Sequence, residues 1–266
     1  LRLSQGHYKG ISTKEVLDRI RYEVDIICSK GYAGYFLIVQ DFANYCKNNN
    51  IPYGIGRGSV GGCEIAFILG ISEIEPIRYG LYFERFLNPT RNSSPDIDYD
   101  LSYYKRGQLI RYIEKTYGKD NTSHIMAENK LTTKAVIRRV LTAYDWTIPV
   151  INSLTKLVDE KCTSLESALN ASEELLNALK DTNELQDMYK LEGLVASASM
   201  HAAGILIMNE PVKEYFPTRI MTDKETGEKV ECSEWHKKIV EHLGAYKFDL
   251  LGLKQTDIFQ MTLDNV

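Results

Sequence analysis

The 266-residue sequence lacks the features that mark membrane and secreted proteins. Its two prominent apolar runs, residues 34–39 and 202–208, are far shorter than the roughly 20 residues that a membrane-spanning helix requires. The sequence opens on Leu1 with neither an initiating Met nor the apolar core of a signal peptide. We therefore expect it to begin inside a longer chain.

Paired cysteines are also missing. The five cysteines lie far apart and form no Cys-x-x-Cys pair, which argues against a zinc cluster and against a disulfide framework. They are Cys28, Cys46, Cys63, Cys162 and Cys232. We expect a reducing, cytoplasmic environment and no membrane partner.

Charge is distributed unevenly along a chain of ordinary globular composition, 44% hydrophobic and 26% charged. The formal net charge is −4, yet residues 1–150 hold 20 basic and 16 acidic side chains, while residues 151–266 hold 12 and 20. The most basic segment, residues 105–139, carries nine basic and three acidic side chains. Such a segment can bind nucleic-acid phosphates, although a solvated helix face explains the composition equally well.

Hydrophobic periodicity predicts an α/β protein with a helical insertion. Strands and helices alternate through residues 1–149, with strands predicted at 81–87 and 96–101. Residues 150–200 show leucines at helical spacing and many acidic residues, and strand character returns after residue 201. We therefore expect a first α/β part at 1–149, an all-helical insertion at 150–200 and a second α/β part at 201–266.

Acidic residues alternate in the segment Asp96-Ile97-Asp98-Tyr99-Asp100. Alternation along a strand sends the three carboxylates to one face, where they repel unless water screens them or a divalent cation, usually Mg²⁺, neutralises them. Farther along, Lys247 and Asp249 interrupt an apolar segment. Two carboxylates from one strand and a third from a distant strand are the usual ligands of a two-magnesium, polymerase-type site. The alternative is an exposed acidic strand and a Lys247–Asp249 ion pair with no ligand.

The segment Gly56-Arg57-Gly58-Ser59-Val60-Gly61 matches the pattern GxGxxG. This match does not indicate a Rossmann domain, because the strand and acidic residue that such a domain requires do not follow it. It does not indicate a Walker loop either, because no Lys-Ser/Thr follows the glycines. We predict instead a turn that places Ser59 at the start of a helix, whose free N–H groups can hold a triphosphate with help from Arg57. A tight packing turn is the alternative. A glycine-serine turn, an Asp-x-Asp strand and a later Asp, in this order, form the layout of nucleotidyltransferases.

Seven segments are spread along the chain between residues 31 and 253: GYAGYFLIV (31–39), GRGS (56–59), FERFLNP (83–89), PDIDYD (95–100), KAVIR (134–138), HAAG (201–204) and KFDLLGL (247–253). In content and order they resemble the bacterial C-family replicative DNA polymerases, the family of DNA polymerase III alpha subunits. The resemblance implies a palm of the DNA polymerase beta-like nucleotidyltransferase type with a mixed sheet. Residues 150–200 would then be the thumb, and residues 201–266 the rest of the palm and the start of the fingers.

The resemblance also implies an activity and its partners. In the intact enzyme we expect template-directed addition of deoxynucleotides to a primer 3′ end, with primer-template DNA and deoxynucleoside triphosphates as substrates. A sliding clamp and other replisome subunits would be further partners. This chain would be a catalytic-core fragment, weak or inactive by itself.

The resemblance assigns functional roles only to residues of this sequence that match a family motif or lie in its basic segment. The resemblance implies two Mg²⁺ ions held by three catalytic residues, Asp96, Asp98 and Asp249. Residues expected to bind the incoming nucleotide are Arg57, Gly58, Ser59, Arg85 and Lys247. Residues expected to contact DNA are Lys130, Lys134, Arg138 and Arg139. Two alternatives stay open: a template-independent nucleotidyltransferase and a catalytically silent DNA-binding or assembly fragment.

Overall fold

A computed structural model of the chain describes residues 7–54, 56–88, 90, 95–223, 227–235 and 237–266. Within these residues the chain forms a six-stranded sheet with helices packed against it, so the predicted α/β class and mixed sheet are confirmed. No helix in the described ranges is both long enough and apolar enough to cross a membrane.

The strands run in the spatial order β1-β6-β3-β2-β5-β4. Strand β1 pairs in parallel with β6, and β2 pairs in parallel with β5, whereas β3 with β6 and β4 with β5 are antiparallel pairs. The bounds are β1 Asp98–Ser102, β2 Thr122–Lys130, β3 Val195–Ile207, β4 Thr218–Thr222, β5 Lys229–Ser233 and β6 Tyr246–Leu253.

The described residues also form eleven α-helices. They are α1 Thr13–Ser29, α2 Ala33–Asn48, α3 Glu64–Ile68, α4 Arg106–Tyr117, α5 Thr133–Ala143, α6 Ile148–Lys156, α7 Leu165–Ala171, α8 Glu173–Leu179, α9 Asn183–Leu191, α10 Lys237–His242 and α11 Lys254–Asp264. Short 3-10 turns lie at Gly58–Gly62, Phe83–Arg85, Lys119–Asn121 and Val212–Glu214.

The chain divides into two compact units. The first comprises Leu1–Met126 and Met200–Val266, and the second comprises Ala127–Ser199. The second unit therefore begins at residue 127 rather than at 150, where the sequence placed the helical insertion. The reason is that α5 shares an apolar core with the helices that follow it, to which it contributes Val136 and Ile137, both fully buried.

In the first unit, α2 and α4 cover one face of the sheet. Phe42 of α2 and Leu109 of α4 lie in the same buried cluster as Ile97, Tyr99 and Phe248 from the acidic segment and β6. Because successive strand residues point to opposite faces, burial of these apolar side chains directs the residues between them to the other face. That other face carries the acidic side chains.

The predicted strand at residues 81–87 is wrong. Phe83–Arg85 forms a 3-10 turn, and the backbone N–H groups of Phe86 and Leu87 donate to the Phe83 carbonyl. These local bonds satisfy the backbone without a neighbouring strand, which explains why a segment of strand-like composition folds as a turn.

Candidate active site

The acidic cluster, defined as Asp96, Asp98 and Asp249, forms where β1 begins and β6 runs beside it. Asp98 and Asp249 are register partners in the parallel β1–β6 pair, and Asp96 lies two positions before β1 on the same face. One carboxylate oxygen from each residue lies within 4.8 Å of those of the other two. The structure thus brings together the three acidic residues that the sequence singled out.

Two basic side chains offset part of the charge. Lys247, whose side chain is only 4% exposed, pairs with Asp249 and lies 3.8 Å from Asp96 Oδ1. Arg57 forks between two carboxylates, with Nη2 3.1 Å from Asp98 Oδ2 and Nε 3.1 Å from Asp100 Oδ2. These four carboxylates and two cations carry a net formal charge of −2, which favours a divalent cation.

Buried carboxylate oxygens without hydrogen-bond partners indicate whether this site fits a metal ion. Among the described residues, Asp249 Oδ1 and Asp100 Oδ1 are buried and have no hydrogen-bond partner. Burial raises the pKa of Asp100, with Asp98 adding to the effect and Arg57 opposing it. A buried carboxylate oxygen without a donor is costly, and hard cations such as Mg²⁺ prefer oxygen ligands. The donor set and its orphaned oxygens therefore fit Mg²⁺.

The glycine turn differs in detail from its prediction. Arg57 precedes the 3-10 turn Gly58–Gly62, and Ser59 lies exposed within that turn, while α3 begins only at Glu64. Ser59 is thus the second residue of a short 3-10 helix, and α3 follows as a separate element. The N-cap residue of α3 is Cys63, whose sulfur accepts the Ala66 N–H.

Close backbone contact holds the glycine turn against the Phe83–Arg85 turn. A Cβ atom on Gly62 would lie 2.6 Å from the Tyr82 carbonyl oxygen, so only glycine fits there. Arg19 of α1 joins the two turns, because its Nη2 donates to the carbonyls of Gly62 and Leu81 at 2.8 and 3.1 Å. Arg85 follows in the second turn with an exposed side chain.

A buried carboxylate of α1 fixes this arrangement and was missed from the sequence. Glu23 is fully buried, and it accepts from Arg19 Nε at 2.6 Å, from the Ile65 N–H at 3.0 Å and from Cys63 Sγ at 3.3 Å. The available signal was its position, since Glu23 shares the helix face of the buried residues Val16 and Ile27.

The segment HAAG at 201–204 shapes the strand beside Asp249. His201 Nδ1 accepts the N–H groups of Ala203 and Gly204 at 3.2 and 2.8 Å. Gly204 is the register partner of Asp249, and a Cβ atom there would lie 2.9 Å from Ile125 Cδ1. The motif therefore sets the local backbone, a role the sequence alone did not reveal.

The residues expected to contact DNA lie in the second unit and are all exposed: Lys130 at the end of β2, and Lys134, Arg138 and Arg139 on α5. Lys134 and Arg138 are one helical turn apart and share a face. Arg138 Nη2 also donates to Asn152 Oδ1 at 2.8 Å. Lys134 and Arg138 therefore place two basic side chains on one exposed face of α5.

An α/β domain with a mixed sheet, a glycine turn and acidic residues on two adjacent strands is typical of nucleotidyltransferase-like domains. The chain matches the family model described as the bacterial DNA polymerase III alpha NTPase domain over residues 3–252. It belongs to that family.

Several curated relatives are similar to this chain. Three are DNA polymerase III alpha subunits, from Aquifex aeolicus at 36% identity over 95% of the chain, from Borreliella burgdorferi at 38% over 93%, and from Chlamydia trachomatis at 37% over 90%. The chain spans only 24%, 21% and 19% of these relatives, respectively.

Proposed function

We propose that this chain is part of the catalytic core of a replicative DNA polymerase, which adds deoxynucleotides to a primer 3′ end as a template directs. The observation that carries the proposal is the convergence of Asp96, Asp98 and Asp249 on one face of adjacent strands in a chain of this family. The first unit would be a palm of the DNA polymerase beta type and the second unit its thumb, with primer-template DNA and deoxynucleoside triphosphates as substrates.

In this proposal the acidic cluster holds two Mg²⁺ ions. When bound, such ions lower the pKa of the primer hydroxyl and offset charge on the triphosphate and the leaving pyrophosphate. Asp249 and Asp98 supply oxygens from rigid paired strands, and Asp96 supplies one from the segment just before β1. The backbone pairing of β1 with β6 would keep the carboxylates of Asp98 and Asp249 at a fixed separation. Mg²⁺ could then bind without movement of the two strands.

The basic residues of the first unit would receive the nucleotide. Arg57 carries a planar fork that suits phosphate oxygens, and its side chain is 51% exposed, so it can exchange carboxylate partners for a phosphate. Lys247 lies between Asp96 and Asp249 and offsets negative charge there. Ser59, Gly58 and Arg85, on the two joined turns, would line the same nucleotide site.

The exposed basic residues of the second unit, Lys130, Lys134, Arg138 and Arg139, would contact the DNA backbone. Such contacts position a duplex without reading its sequence, so specificity would come from base pairing with the template. A sliding clamp and other replisome subunits would bind the whole protein, and this chain alone would extend primers weakly or not at all.

Primer extension tests the proposal in the natural polypeptide that carries this sequence. We expect Mg²⁺-dependent, template-directed extension that falls at least about 100-fold in the variants Asp96→Ala and Asp98→Ala, with DNA binding retained. Asp181→Ala, which removes an exposed carboxylate of the second unit, is the control and should extend normally.

Two results would support the alternatives instead. Nucleotide addition that ignores the template would indicate a template-independent nucleotidyltransferase. Primer-template binding without extension by the unsubstituted polypeptide would indicate a silent DNA-binding fragment. Extension by both Asp variants at the parental rate would refute the metal assignment.

A further inference from the structure

Tyr35 lies on the opposite side of the sheet from the acidic cluster. It occupies the first turn of α2, and the residue is 3% exposed. Its ring stacks on Phe248 with 4.9 Å between ring centres and 8° between planes. Phe248 is the residue between Lys247 and Asp249 in β6, so this contact holds the strand at the position of the third acidic residue.

The hydroxyl of Tyr35 reaches the other acid-bearing segment. The backbone N–H of Ile97 donates to Tyr35 Oη at 3.2 Å, and this N–H belongs to the peptide group that joins Asp96 to Ile97. Burial raises the pKa of Tyr35 well above its usual value, so the phenol stays neutral. A single side chain thus contacts both segments that carry the acidic residues.

Asp96 needs such support more than its neighbours do. The β1–β6 register begins at the pair Asp98 and Asp249, so Asp96 lies outside the paired residues, and its side chain is 62% exposed. Buried Ile97 and the bond from its N–H to Tyr35 fix the backbone next to Asp96 from the opposite face.

We propose that Tyr35 is a positioning residue for the acidic cluster: by linking Ile97 to Phe248, it sets the separation of Asp96 from Asp249 and so the affinity for the divalent cation. This inference rests on the metal site of the proposed function. Tyr35 touches neither the cation nor a substrate, and it acts only through the backbone of the segments that carry the ligands.

The test is Mn²⁺ binding, followed by electron paramagnetic resonance, in the full chain and three variants. Tyr35→Phe keeps the stacked ring and removes the hydroxyl. Tyr112→Phe is the matched control, because its hydroxyl donates to Asp41 at 2.8 Å and its ring stacks on Tyr45, outside the acidic face. Asp98→Asn reports whether binding occurs at the acidic cluster.

We expect Tyr35→Phe to bind Mn²⁺ about tenfold more weakly, the lower end of the range for residues that support metal ligands. Tyr112→Phe should bind as the parent does, and the two Tyr variants should lose similar thermal stability. In primer extension by the natural polypeptide that carries this sequence, Tyr35→Phe should need more Mg²⁺ for half-maximal rate and approach the parental rate at saturating Mg²⁺. A purely structural role would lower stability without this rescue.

The outcomes separate the two proposals. If Asp98→Asn abolishes Mn²⁺ binding but Tyr35→Phe binds as tightly as Tyr112→Phe, the positioning role is refuted and the metal site stands. If the parent binds no Mn²⁺, or Asp98→Asn does not change binding, the proposed function fails, and the inference fails with it. Phe248→Leu provides a second variant, in which weaker Mn²⁺ binding is expected and unchanged binding would count against the role of the stack.

Discussion

Asp98 and Asp249 face each other as register partners across the parallel strands β1 and β6, although they are far apart in sequence. Parallel pairing directs both side chains to the same face, so strand register alone determines that these two carboxylates are neighbours. A slip of one residue in either strand would turn one of them into the apolar core. The buried residues on the opposite face, Tyr99 and Phe248, make that slip costly.

Lys247, itself buried, pairs with the largely buried Asp249 and lies near the exposed Asp96. We expect Lys247→Met to lower the free energy of unfolding by about 3 kcal/mol, because loss of one partner leaves a buried carboxylate unpaired. Added Mg²⁺ should recover part of the loss. Lys190→Met breaks an exposed ion pair with Asp187 and should cost less than ~1 kcal/mol. Chemical denaturation measures both, and equal losses would contradict the account.

Arg57 is half exposed, so its ion pairs contribute little stability but can contribute to binding. We expect Arg57→Ala to change the free energy of unfolding by less than ~1 kcal/mol. Triphosphate affinity, measured by titration with a fluorescent deoxynucleotide, should fall about tenfold or more. Arg57→Lys should not restore it, since a lysine lacks the planar fork. Parental affinity in Arg57→Ala would refute this role.

Gly62 provides a test of the contact between the two turns. Gly62→Ala should destabilise the fold by about 1–3 kcal/mol, because its Cβ would lie 2.6 Å from the Tyr82 carbonyl oxygen. Gly107→Ala in α4 is the matched control, since its Cβ has ordinary space and alanine favours a helix by roughly 0.5–1 kcal/mol. Thermal unfolding compares them, and a neutral Gly62→Ala would show that the turns can separate.

Because Glu64 is a buried carboxylate, we expect the free energy of unfolding to depend on pH. Burial raises its pKa to about 7, the hydrogen bond from Tyr8 opposes that shift, and Glu75 and Glu23 add to it. Between its usual value and about 7 the folded protein keeps a proton that the unfolded chain releases, so stability falls as pH rises through this window. Glu64→Gln should therefore gain roughly 1–3 kcal/mol relative to the parent between pH 5 and pH 8.

Urea unfolding at several pH values measures that difference. Glu15→Gln, at an exposed position of α1, is the control and should follow the parent at every pH. A difference between Glu64→Gln and the parent that does not change with pH would mean that Glu64 is ionised in the folded protein.

The sequence revealed which faces the acidic residues occupy, because alternation in residues 96–100 and in Lys247-Phe248-Asp249 is a local property. It could not reveal that β6 lies beside β1, since strand order depends on packing between distant segments. The 3-10 turn Phe83–Arg85 was missed because residues 81–87 have strand-like composition, and the local hydrogen bonds to the Phe83 carbonyl that form the turn leave no signal in that composition. Tyr35 was missed because an aromatic residue on an apolar helix face is ordinarily part of the core.

The most direct measurement is a Mn²⁺ titration of the parent and of Asp249→Asn, the ligand most distant in sequence. We predict that the parent binds Mn²⁺ and that Asp249→Asn loses at least about tenfold in affinity. Asp181→Asn, with its exposed position in the second unit, should bind as the parent does. Unchanged Mn²⁺ affinity in Asp249→Asn would contradict a shared metal site formed by β1 and β6.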